Sequence, residues 1–189
     1  MNPENKLTSQ NNPTRNSVES AIFAALIALG ALITIPLGPV PISLQNFFVF
    51  MAGLVLRPKQ ALVSTILYAL LGLVGLPIFA GFSGGPQSVL SPSFGFILGF
   101  IPMAYLISKY SGGEKNPWKI FLSLILADIL LYAIGLPYLY LILTRVHGTP
   151  MTLASSLKVG MVPFIIPDLV KALLASFLGP KILSALKRN

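Results

Sequence analysis

The sequence predicts an all-α fold: an integral membrane bundle of six transmembrane helices with both termini cytoplasmic. Three observations predict it. Hydrophobic residues make up 54% of the 189-residue chain and charged residues only 10%, against about 25% charged in an ordinary soluble domain. The few charges are confined to narrow bands. Glycine and proline cluster in the middle of the longest uncharged stretches, where a hairpin loop needs them.

The elements follow from these stretches. Ser20 to Leu56 gives 37 residues without a charge and Gln60 to Ser108 gives 49. A membrane-crossing helix needs about 20 apolar residues, so each stretch holds two. The first is interrupted at Pro36, Gly38, Pro39 and Pro41, and the second between Pro77 and Pro92. Ile120 to Thr144 adds 25 residues with only Asp128 charged, and Val159 to Pro180 adds 22 with only Asp168 and Lys171. The expected spans are 18–36, 42–56, 60–76, 93–109, 118–136 and 162–180. The fifth is expected to end at Gly135-Leu-Pro137, just as the third ends at Gly75-Leu-Pro77. Residues 1–16 are polar and rich in Asn and Pro, and read as a disordered cytoplasmic tail and not a cleaved signal; residues 17–189 form the six-helix domain.

Six crossings put both termini on one side, and that side collects ten lysines and arginines against two on the other, Arg145 and Lys158. This bias makes the rich side cytoplasmic. The net charge of +8 is thereby explained by topology and anionic lipid headgroups, without a nucleic-acid partner.

The chain has no phosphate-binding Gly-x-x-x-x-Gly-Lys-[Ser/Thr] loop, so it is not expected to hydrolyse ATP itself. It has no cysteine and one histidine, His147, so no metal-ligand cluster is visible. No serine has a histidine base within a span. No enzymatic activity, metal or cofactor is expected.

Polar residues inside a bilayer are costly and face a cavity or one another. Gln45, Asp128, Asp168 and Lys171 stand out. Asp168 and Lys171 are three residues apart, on one helix face and within reach of an ion pair. They form either a structural clasp or a carboxylate and an ammonium offered to a ligand. Asp168 falls about 8 Å inside the outer end of its helix, a depth that an outward-facing cavity reaches. Pro163 and Pro167 flank this entry. Gln45 stands one turn beyond Gly38-Pro-Val-Pro41, as an interfacial side chain or a ligand contact. Asp128 reads better as a hydrogen-bond partner of a neighbouring helix. The uncharged loop Gly75 to Ser88, with Phe79 and Phe82 among its glycines, suits either a lid over a small, partly apolar ligand or a packed loop. In the first span Ala21, Ala24, Ala25 and Ala28, with Ala31, recur at intervals of three and four. Such a small-residue face packs closely, either within the bundle or against another membrane subunit.

Five segments follow one another along the chain: Ile35-Pro-Leu-Gly-Pro-Val-Pro-Ile-Ser-Leu-Gln45, Gly75-Leu-Pro-Ile-Phe-Ala-Gly81, Ser83-Gly-Gly85, Pro92-Ser-Phe-Gly-Phe-Ile-Leu-Gly-Phe100 and Pro167-Asp-Leu-Val-Lys171. In this order, and from about Ala21 to Leu183, the sequence resembles the BioY family, the biotin-specific S components of energy-coupling factor (ECF) transporters. The resemblance implies a multi-pass protein of a prokaryotic plasma membrane that binds biotin from outside. It implies three further subunits, a transmembrane coupling protein and two ATPases, which supply the missing ATP hydrolysis. It implies a biotin site that includes Asp168 and Lys171, with Gln45, Phe79, Gly81, Ser83, Gly84 and Gln87 on pocket-lining segments. It implies docking on the coupling protein through Ala21, Ala24, Ala25 and Ala28. The segment after Gly85, Pro-Gln-Ser-Val-Leu90, departs from the family pattern. An S component for another vitamin and an ion-coupled carrier built on Asp128, Asp168 and Lys171 are the alternative readings.

Overall fold

A computed structural model describes residues 13–187. Seven α-helices carry the fold: α1 (Pro13–Leu32), α2 (Gln45–Val55), α3 (Pro58–Val74), α4 (Phe94–Ser111), α5 (Pro117–Leu141), α6 (Leu153–Gly160) and α7 (Val162–Lys187). The expected tail lies outside the described residues up to residue 12, and Pro13 opens α1. Proline suits a first helical turn, where its missing N–H has no partner to lose.

Among the described residues, four helical segments are long and apolar enough to cross a bilayer: Pro13–Leu32, Phe94–Ser111, Pro117–Val146 and Val162–Leu186. α2 and α3 are apolar but shorter, at 11 and 17 residues. At about 1.5 Å per residue α2 rises only about 16 Å. The break expected between the first two spans is present, and it takes the ends of both: the expected spans 18–36 and 42–56 become helices ending at Leu32 and starting at Gln45. A two-residue strand, β1 (Thr34–Ile35), pairs antiparallel with β2 (Ile42–Ser43). They bracket the turn at Gly38, whose φ of 65° favours glycine. The prolines of this segment explain the division, since they withdraw N–H donors that a helix would need. Leu44 then donates its N–H to Gly30 O at 3.0 Å, and the chain enters α2.

The fifth span differs from expectation. Gly135-Leu-Pro137 lies inside α5, which continues through a π turn (Ile142–Val146). A helix at the membrane tolerates an internal proline when neighbouring helices pack over the break, and Leu136 and Leu139 are buried here. The chain leaves through His147 N–H to Ile142 O at 3.0 Å. α6 was not anticipated. Thr152 caps it by accepting from Ser155 N–H at 3.2 Å, and Gly160 brings it against Leu136 and Leu139. α7 begins at Val162, so Pro163 sits in its first turn and Pro167 within it.

α2 is the hub. Eight of its residues are buried, among them Val49, Phe50 and Ala52. Around it α1 contributes Ala24 and Ile27, α3 Ala61 and Tyr68, α4 Phe100 and Met103, α5 Leu124, and α7 Ala172 and Ala175. Glycines permit the close approaches. A Cβ on Gly53 would stand 2.6 Å from Cβ of Ile107, and one on Gly179 would stand 2.7 Å from Leu54 Cδ1. Leu70, Val74, Leu122, Leu126, Ile129 and Ile166 point outward, as lipid-facing side chains do.

Candidate functional site

A cavity opens among α2, α4, α5 and α7, at the end of the bundle away from Pro13 and Lys187. Its inner wall is polar. Asp168 and Lys171 both line it, 5% and 7% exposed. With Phe164 they occupy positions i, i+4 and i+7 of α7, one continuous face. Lys171 Nζ lies 2.9 Å from Asp168 Oδ1. The other carboxylate oxygen, Oδ2, accepts the Tyr132 hydroxyl from α5 at 2.5 Å. The ion pair expected from the sequence is therefore formed, inside a site and not on a lipid-facing surface.

Gln45 and Asn46 open α2 on the opposite wall. Gln45 donates through Nε2 to the Tyr68 hydroxyl, and its Oε1 accepts from Ser43 Oγ at 3.0 Å. Both ends of this amide are held by the protein. Asn46 Nδ2 donates to Asp128 Oδ1 at 2.9 Å. Asp128 thus makes the inter-helix hydrogen bond expected of it, across from α5 to α2. Asn46 Oδ1 is buried and has no hydrogen-bond partner among the described residues.

The remaining walls are aromatic. Phe79 packs edge-on against Tyr68 with ring centroids 5.4 Å apart and against Phe94 at 6.1 Å. Phe96 meets Tyr132 edge-on at 6.2 Å. These are favourable quadrupolar arrangements, and they fix an apolar shelf beside the charged pair. Ser83, Ser88, Ser91 and Ser93 bring hydroxyls to the cavity from the segment before α4.

The loop holding Phe79 and Ser83 is tightly constrained. Phe79 N–H donates to Ser83 O at 2.9 Å, and Gly85 N–H donates to Gly72 O at 2.7 Å. The turn between them puts Gly81 at φ 73° and Phe82 at φ 57°. Phe82 is consequently thrown outward, 68% exposed. It does not cover the cavity with Phe79. Gly81, Gly84 and Gln87 do not line the cavity either. Gln87 folds back to donate to Gly84 O at 2.5 Å, and Gly84 packs by its backbone against Leu76. Of the predicted ligand residues, the structure brings together Gln45, Phe79, Ser83, Asp168 and Lys171.

Sequence reasoning missed Asn46, Tyr132, Phe94 and, beyond Ser83, the serines Ser88, Ser91 and Ser93. Two had a signal. Asn46 is a second amide beside Gln45 in an apolar run, and Tyr132 stands four residues after Asp128, on the same helix face.

The alanines of α1 divide between two faces. Ala24 is buried against the core and Ala28 is half-buried, while Ala21 and Ala25 are exposed.

Fold and site together define an integral membrane protein, mostly helical, with a small pocket that is charged on one wall and aromatic on another. The chain belongs to the BioY family, whose model matches residues 3–188. It is 38% identical over 162 residues to the "Probable biotin transporter BioY" of Pyrococcus horikoshii, covering 86% of this chain and 92% of that protein. It is 37% identical over 166 residues to the "Biotin transporter BioY" of Thermotoga maritima, covering 87% and 94%. Among solved structures it is similar to the S-component for biotin from an ECF-type ABC transporter. The TM-score is 0.78 at 28% identity, covering 96% of this chain and 94% of that one.

Proposed function

We propose that this protein is the biotin-binding S component of an ECF-type uptake transporter in a prokaryotic plasma membrane. The observation that carries the reading is the buried pair Asp168–Lys171, braced by Tyr132 and facing an aromatic shelf. Biotin has a ureido ring with two N–H donors and one carbonyl, an apolar thioether ring and a carboxylate tail. Asp168 accepts a ureido N–H, since each of its oxygens keeps a free lone pair beside its present partner. Lys171 donates to the ureido carbonyl. The sulfur ring lies on Phe79 and Phe94, and the tail points toward the serine hydroxyls.

Six crossings fit the described helices if α2 and α3 are counted with α1, α4, α5 and α7. This arrangement leaves both termini cytoplasmic, in keeping with the distribution of lysine and arginine. A transmembrane coupling protein and two ATPases then supply the energy. The exposed Ala21 and Ala25 offer α1 a flat face for docking on the coupling protein. The bundle itself catalyses no reaction. Gly81, Gly84 and Gln87 shape the covering loop and do not touch the ligand.

The test is calorimetric titration of biotin into the purified protein in detergent, with riboflavin and thiamine as controls. Saturable binding near one to one for biotin alone is expected. A folded, ligand-free sample that ignores biotin refutes the reading.

A further inference from the structure

The inner end of the cavity is supplied with more acceptors than the protein uses. Tyr132, Asp168 and Lys171 line it there, and Asp128, which does not line the cavity, lies within electrostatic reach of both members of the α7 ion pair. Lys171 and Tyr132 donate to Asp168, and Asn46 Nδ2 donates to Asp128. Asn46, 6% exposed, is left with its carbonyl oxygen unpartnered while its side chain lines the cavity. An amide acceptor buried without a partner is costly, and native proteins seldom keep one unless something else fills it. Its neighbour Gln45 shows no such vacancy, since both its polar ends are held.

Asp128 explains why the vacancy is an acceptor. A carboxylate accepts and an amide NH2 donates, so the bond at 2.9 Å commits Nδ2 to α5 and leaves Oδ1 as the unpartnered end of a side chain that lines the cavity. We infer that Asn46 is a specificity-determining residue that accepts an N–H from the bound ligand, and that Asp128 is the positioning residue that orients its amide. The inference rests on the biotin reading and deepens it. The ureido ring has two N–H groups. Asp168 takes one from the α7 side and Asn46 takes the other from the α2 side. A ring with two donors is thereby distinguished from one that lacks either. The acceptor-rich end receives the ureido group, and the ligand's own carboxylate is kept at the mouth.

The experiment compares biotin with its two mono-N-methyl ureido derivatives on the parent protein, Asn46→Ala, Asp128→Leu and the double variant. Thermal unfolding in detergent checks that each is folded. On the parent, both methylated ligands are expected to bind about tenfold or more weakly than biotin, the loss of a hydrogen bond that leaves a buried partner unpaired. Asn46→Ala is expected to weaken biotin by a similar factor and to erase the penalty for one methylated ligand only. Asp128→Leu is expected to weaken biotin in the parent background but to add nothing in the Asn46→Ala background. A purely structural role for Asp128 would give additive losses and leave ligand discrimination unchanged, which overturns the positioning role. If either methylated ligand binds the parent as well as biotin does, the two-acceptor arrangement is wrong, and this needs no variant to fold. Biotin binding by the parent together with undiminished binding by Asn46→Ala overturns this inference alone. Failure of the parent to bind biotin overturns the underlying reading with it.

Discussion

Tyr132 and Asp168 share a hydrogen bond of 2.5 Å between α5 and α7, made on the carboxylate oxygen that Lys171 does not hold. The phenol therefore fixes the plane of the carboxylate while the ammonium balances its charge. Tyr132→Phe removes only that bond. Hydrogen bonds to charged groups are worth about 1.5–3 kcal/mol, so biotin affinity is expected to fall by about tenfold or more with the fold retained. Calorimetry beside a melting curve separates the two, and unchanged affinity would show that the carboxylate needs no brace.

The ion pair itself gives a double-variant test. Lys171→Met leaves Asp168 buried without a cation, and breaking a buried pair in this way costs about 3–5 kcal/mol. The combined variant Asp168→Leu/Lys171→Met is expected to recover most of that stability and to bind no biotin. If binding survived in the combined variant, the pair would be a structural clasp.

The two phenylalanines of the covering loop are expected to behave differently. Phe79→Ala empties a buried aromatic site that touches Tyr68 and Phe94, a loss of about 3–5 kcal/mol. Phe82→Ala changes an outward side chain and should stay within about 0.5 kcal/mol. Gly72→Ala joins the first class, because its methyl would drive into the Phe79 ring. Melting temperatures of the three variants decide the matter, and an equal cost for Phe82 would contradict the loop geometry.

The faces of α1 give a further contrast. Ala25→Trp projects from the bundle and is expected to leave biotin binding intact while abolishing co-purification with the coupling protein. Ala24→Trp forces a large ring into a packed core, and overpacking costs about 1–3 kcal/mol or more. Biotin titration and subunit pull-down on both variants test the assignment. It fails if Ala25→Trp still assembles.

Outside the membrane, the Glu114 carboxylate accepts the N–H groups of Asn116 at 2.9 Å and Lys115 at 2.7 Å. These bonds, that of Asn116 first, hold its pKa below the ordinary value of 4.5. A depressed carboxylate stabilises the fold above the unfolded value and loses that effect as pH falls through the folded one. The Lys115 and Asn116 amides should therefore stay protected at pH 4.5 and open only in more acid solution. Protection factors, corrected for the intrinsic exchange rate at each pH, test this. Loss already at neutral pH would refute it.

Much of this arrangement is legible in the sequence. Uncharged stretches located the helices, because hydrocarbon admits few charges. The spacing of Asp168 and Lys171 foretold their contact, because three residues return a helix to the same face. The hairpin at Thr34–Ile35 and Ile42–Ser43 was not legible, since an apolar run with prolines reads equally as a broken helix. Pro137 misled for a related reason. Proline is a stop signal in water, and packing by Phe96 on Gly135 carries α5 past it. Asn46 and Tyr132 depend on which way α2 and α5 rotate, which is set by contacts far apart in the chain.

The shortness of α2 has a thermodynamic consequence for the solute. An 11-residue helix leaves about half of a roughly 30 Å hydrocarbon layer unfilled above it. Irregular backbone at that depth is tolerated only against protein or water, and Val40, Pro41 and Ser43 of that segment line the cavity. A solute held at that depth therefore gives up its hydration to protein and not to hydrocarbon.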